Sequence, residues 1–230
     1  MAQSSGGGEE QEGRSAPLGP PGLPFALTLA AFAVLALFAW WTGGDVYRSG
    51  PQLQIREERG AVVFAWSDEI AAPFARRLSD AYKDWKGKTD RIVIELNSPG
   101  GSIVEGRFAI EEIKKIKRTV TVETRVGQRR MCASMCVPVY LAGDVRVAAA
   151  SSRFMFHEPA LYDAVTDERA KQAEFERDME SAHFFHRYFD TADLDPAWRV
   201  KLERDWKGRD LWFTGAELVE QKSGVVQAIE

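Results

Sequence analysis

The chain has 230 residues, 45% hydrophobic and 28% charged, the mixture of one globular domain with attachments. A formal charge of -4 and a pI near 5.6 argue against a general nucleic-acid binder, which would present a basic face. Two cysteines are too few for a disulfide framework or a four-ligand zinc site and leave room for one local bridge.

Residues 1–23 are rich in Gly, Ser, Pro and Glu and offer almost nothing to bury, which predicts a disordered tail. Residues 24–42 contain "FALTLAAFAVLALFAWW", and no charge occurs between Arg14 and Asp45. An uncharged apolar run of roughly 20 residues spans a bilayer as a helix, with Trp40 and Trp41 placed as interface anchors. A cleaved signal peptide would need a basic start and a small-residue cleavage site, and a core helix would be amphipathic. Neither pattern is present, so the sequence predicts a single transmembrane helix over 24–42 and a contact with the lipid bilayer there. Arg48, Arg56 and Arg59 follow the span against Arg14 before it, a small excess that leans towards a cytoplasmic domain.

From residue 52 to 230 the patterns alternate. "LQIRE" and "AVVFAW" read as strands around the Glu58–Gly60 turn, and 67–85 as a helix capped by Ser67. "RIVIEL" (91–96) is a buried strand running into "NSPGG", followed by a helix in "SIVEGRFAIEEIKKIK" and a strand over 119–124. "KKIKR" (114–118) is the solvated end of that helix. The cysteine segment leads into an apolar helix ending at Gly143, then come the strands "VRVAA" and "RFMFH". A charged helix covers roughly 165–189 and "PAWRVKLERDW" another. Strand–helix–strand repetition implies parallel pairing, hence an α/β domain with one core.

Several residues are candidates for chemistry. "NSPGG" (97–101) places backbone N–H groups at a helix N-terminus, a site suited to negative charge, although many loops of this kind carry two glycines. Ser134 lies between a strand and a helix, where a serine is ordinarily a cap. As a nucleophile it would need a base and oxyanion donors. Of the three histidines, His183 and His186 share a helix face with Glu180 and read as packing or solvent contacts rather than a metal site. His157 ends a strand where it opens into a loop, the place where sites gather in α/β folds. Asp205 and Asp210 are both available as its orienting carboxylate.

The order "NSPGG", "CASMC…LAG", "SSRFMFHEP", "RDLWFTGAELVE" resembles the proteolytic subunit of the Clp protease and its ClpP/crotonase-like superfamily over roughly residues 60–228. The resemblance implies a fold of repeated ββα units and a serine peptidase hydrolysing peptide bonds. Ser134 would be the nucleophile, His157 the base and Asp210 the orienting acid, with Gly101 and Met135 amides as the oxyanion hole. It requires no metal or cofactor, a peptide or protein as substrate, no nucleic acid, and it implies a homo-oligomer with the 165–189 helix as a contact element. Cys136 replaces the glycine that follows Ser-Met in the Clp subunit, and "RVGQRRM" lengthens the approach, so a barrel docked on an unfoldase is not transferred.

Two alternatives accompany this reading. Signal peptide peptidase A is also anchored and carries a Pro-Gly-Gly turn, and its Ser-Lys dyad would draw on Lys171 or Lys201 but leave His157 unexplained. A scaffold that kept the fold and lost turnover is the other. Cys132 and Cys136 flank the serine closely enough to form a bridge, the bland reading being two small buried thiols. A bridge would place the domain on the extracytoplasmic side of the membrane, in an oxidising compartment.

Overall fold

The computed structural model describes residues 53–159 and 174–230. The expected tail (1–23), the expected span (24–42) and the start of the helix expected over 165–189 lie outside these residues. Among the described residues no helix is long and apolar enough to cross a membrane.

Strand β2 (Ala61–Trp66) is buried at every position, as befits a strand covered on both faces. It pairs in parallel with β3 (Arg91–Leu96), and β3 with β4 (Thr121–Val126). β6 (Val145–Ala148) and β9 (Ala228–Ile229) extend the parallel order, and β1 (Gln54–Glu58) closes the other edge antiparallel to β2. The crossovers β2 to β3 and β3 to β4 carry α1 (Phe74–Trp85) and α2 (Ile103–Ile116). Phe74, Leu78, Ala81 and Tyr82 of α1, and Ala109, Ile110, Ile113 and Ile116 of α2, repeat at helical spacing and are buried.

A second, three-stranded sheet stands apart from the first, in the order β5 (Met131–Ala133), β7 (Arg153–Phe156), β8 (Leu211–Thr214). β5 and β7 are parallel and β8 is antiparallel to β7. Around it lie α3 (Cys136–Leu141), α4 (Glu174–Tyr188), α5 (Pro196–Asp205) and α6 (Gly215–Glu220). A capping box fixes the passage from β8 into α6: Glu217 N–H donates to Thr214 Oγ1, and Thr214 N–H donates to Glu217 Oε2. Beneath the sheet, Phe156 packs edge-on against Trp198 and Phe213, with ring centroids 5.6 and 5.8 Å away. Phe185, Phe189 and Trp206 continue this cluster. Aromatic contacts of this kind join β7, β8, α4 and α5 into one body.

The structure departs from the sequence expectation in two places. The helix expected from Ser67 begins at Phe74, because the Ile70 amide donates to Gly100 O at 2.6 Å and Ile70 O accepts from Ser102 N at 2.8 Å. Those bonds draw residues 69–71 out of any helix, and Pro73 disfavours helical geometry before it. β8 was not anticipated at all, since four residues are too few for alternation to stand out.

Candidate active site

Ser134 ends the short strand β5 and precedes α3, with φ at 53°, in the left-handed region. A serine pays a steric cost there, so the surrounding bonds must hold it. Its amide donates to Met155 O at 2.9 Å on β7, and its carbonyl accepts from Val137 N at 2.9 Å. On the other side Ser98 brackets β5, its amide donating to Met131 O at 2.9 Å and its carbonyl accepting from Ala133 N at 3.0 Å. Asn97 Oδ1 accepts from the Met131 amide at 3.2 Å. The "NS" of "NSPGG" is thus the clamp on the strand that carries Ser134.

Immediately after β7 comes His157, half-buried like Ser134. Its Nε2 lies 2.7 Å from Ser134 Oγ, hydrogen-bonding distance for a base and a nucleophile. The parallel pairing of β5 with β7 sets this meeting: Ala133 stands opposite Met155, so the residues that follow each strand emerge at the same end.

The glycine turn packs directly on the serine. A Cβ on Gly100 would lie 2.5 Å from Ser134 Cβ and 2.7 Å from Ala133 O. Gly101 forms a parallel bridge to Ile70, in which Gly100 O and Ser102 N make the bonds. In such a ladder the N–H of the intervening residue, Gly101, faces the opposite edge. Met135 is buried, and its side chain lies over Gly106 of α2, where a Cβ would run into Met135 Cγ. Gly101, Met135, Ser134 and His157 are therefore gathered at one place.

Asp210 is exposed in the turn before β8, and no hydrogen bond or ion pair joins it to His157 among the described residues. The antiparallel ladder ends at Phe156 opposite Leu211. Continued one step beyond its last pair, that register would bring Asp210 towards His157. Asp205, the other carboxylate considered, pairs with Arg204 at 2.8 Å instead. His186, exposed near the C-terminal end of α4, pairs with Asp190 at 2.6 Å.

Cys132 and Cys136 are both fully buried and joined as a disulfide, with Cα atoms 5.2 Å apart across a sequence separation of 4. The bridge encloses Ser134. For so short a loop the chain-entropy gain is about 2 kcal/mol. Replacing both cysteines by serine, or reducing the protein, is expected to lower the melting midpoint by roughly 4–8 °C. Calorimetry with and without reductant checks this.

Residue-by-residue reading of the sequence missed Ser98, Gly100 and Ile70. The run "NSPGG" was a signal for the first two, whereas nothing local marks Ile70, which acts only through its backbone.

Comparisons with known proteins bear on the fold and the family. No curated protein sequence matches the chain. An Asn-to-Asp variant of ClpP1 from Listeria monocytogenes has a similar structure, with a TM-score of 0.55 at 21% identity over 73% of this chain and 90% of that one. At that identity the likeness speaks for the fold. The family model described as Clp protease matches residues 65–224, a stretch that holds β3 through α6 with Ser134, His157 and Asp210 inside it. That match covers well over half of the sequence, and the chain belongs to the Clp protease family.

Proposed function

We propose that the protein is a membrane-anchored serine peptidase that cleaves peptide bonds with Ser134, His157 and Asp210. The observation that carries this is the 2.7 Å contact between His157 Nε2 and the hydroxyl of a serine held at positive φ. His157 accepts the Oγ proton as Ser134 attacks the scissile carbonyl carbon, and returns that proton to the leaving amine as the acyl-enzyme forms. Water then cleaves the ester by the same base, releasing the acid and restoring the serine. The Gly101 and Met135 amides donate to the tetrahedral oxyanion, and Asp210 holds the imidazole tautomer from the turn before β8. The substrate is a peptide or protein, and each step is supplied by these side chains and amides.

A fluorophosphonate probe tests the assignment: labelling at Ser134 that is lost in Ser134→Ala supports it. Absence of labelling and of peptide hydrolysis favours a scaffold, a reading that draws on Asp210 making no bond to His157. The Ser-Lys alternative finds Lys201 exposed on α5, while Lys171 lies outside the described residues.

The anchor over 24–42 belongs to this proposal, as does an extracytoplasmic position for the domain, supported by the bridged cysteines. A homo-oligomer is proposed likewise, by family analogy. Deleting residues 1–44 is expected to release a folded, soluble domain. Retention of the truncated protein on membranes after a carbonate wash would refute the single anchor. Two alkylated cysteines in protein taken from its native membrane without reductant would refute the side.

A further inference from the structure

Glu158 follows the proposed base and is 4% exposed, yet it is a carboxylate. Its Oε2 accepts the Gly208 N–H at 2.7 Å. Its Oε1 is buried and has no hydrogen-bond partner among the described residues. Desolvating a carboxylate for one backbone bond, with an oxygen left unpaired, is a costly way to gain stability. A reason other than stability is needed.

The far end of the bond supplies one. Gly208 sits at φ 65° in the turn between α5 and β8, where Lys207, Gly208, Arg209 and Asp210 are all exposed. Within the turn Arg209 N donates to Trp206 O at 3.0 Å. The ladder between β7 and β8 ends at Phe156 and Leu211. Beyond it, the Glu158–Gly208 bond ties the two segments together a second time. His157 and Asp210 therefore lie between two ties, one on each side.

We infer that Glu158 is a positioning residue, holding the 207–210 turn against the end of β7 so that Asp210 stays opposite His157. This rests on the Ser134–His157–Asp210 reading above. Small displacements of an orienting group are expensive in rate while leaving substrate contacts in place.

Peptide hydrolysis and the rate of fluorophosphonate labelling, measured on the full chain, provide the test. Glu158→Ala is expected to lower kcat by roughly 10–100-fold with KM changed by less than about twofold. Glu158→Gln recovers most of that loss, because its amide oxygen accepts the same N–H. Glu158→Leu, which fills the same volume without the acceptor, loses kcat as Glu158→Ala does while melting near wild type, which keeps the test open should Glu158→Ala fail to fold. In an Asp210→Ala background, Glu158→Ala costs less than about twofold further, since no carboxylate remains to be placed. Equal losses in both backgrounds, or full activity of Glu158→Leu, overturn the inference alone. Wild-type rates for Asp210→Ala overturn the triad instead.

Discussion

Ser134→Ala is expected to abolish peptide hydrolysis, leaving only what binding and the oxyanion amides supply, on the order of 10³-fold over water. His157→Ala should fall nearly as far, because the hydroxyl 2.7 Å from Nε2 then has no acceptor for its proton. Groups acting as a unit are not additive, so the double variant should be no slower than Ser134→Ala alone. Asp210→Asn is expected to cost less than the serine change but still orders of magnitude. Steady-state hydrolysis of a fluorogenic peptide measures all of these. An active His157→Ala beside an inactive Lys171→Ala or Lys201→Ala would hand the chemistry to a Ser-Lys pair.

Gly100→Ala should also be strongly damaging, although Gly100 contributes no side chain. Its φ is 101°, which a non-glycine residue adopts at a cost of about 1–3 kcal/mol. The new methyl would also meet Ser134 Cβ at 2.5 Å, Ala133 O at 2.7 Å and Met135 N at 3.1 Å. None of these is the loose end of a flexible side chain, so either the glycine turn or the serine loop must move. A shift of this kind is expected to cost about 100-fold or more in kcat. Gly87→Ala is the control: φ there is 76°, with nothing within 4 Å of the added Cβ. It should lower the melting midpoint with little effect on rate, separating backbone strain from the clash at the site.

How far the sequence could be read depended on whether a segment's structure is set locally. β3, buried and apolar, and α2, with its helical spacing and Ser102 cap, are legible because their own residues dictate them. Ser134 and His157 were legible through segment order, and their contact follows from β5 pairing with β7. The start of α1 was not, because Ile70 is claimed by a backbone bridge to a turn that lies far along the chain. β8 escaped for a related reason: "LWFT" becomes a strand by pairing with β7, and nothing in its own four residues demands it. Glu158 read as part of a loop, and only the fold reveals the amide it reaches.

The antiparallel partner of β7 also sets a schedule. Ser134 and His157 are joined by strands close together in the chain, whereas Asp210 arrives in the turn before β8, more than fifty residues beyond His157. During synthesis from the N-terminus, the proposed nucleophile and base could meet while β8 is still within the ribosome. A nascent or truncated chain ending before that turn would hold the serine and the histidine but lack the carboxylate proposed to complete the triad. Full competence would then wait for the C-terminal segment to dock, where buried Arg146 bonds to the carbonyls of Asp193, Gly224 and Val225. Order of synthesis would thus act as a delay, with hydrolytic power appearing only once the whole domain has closed.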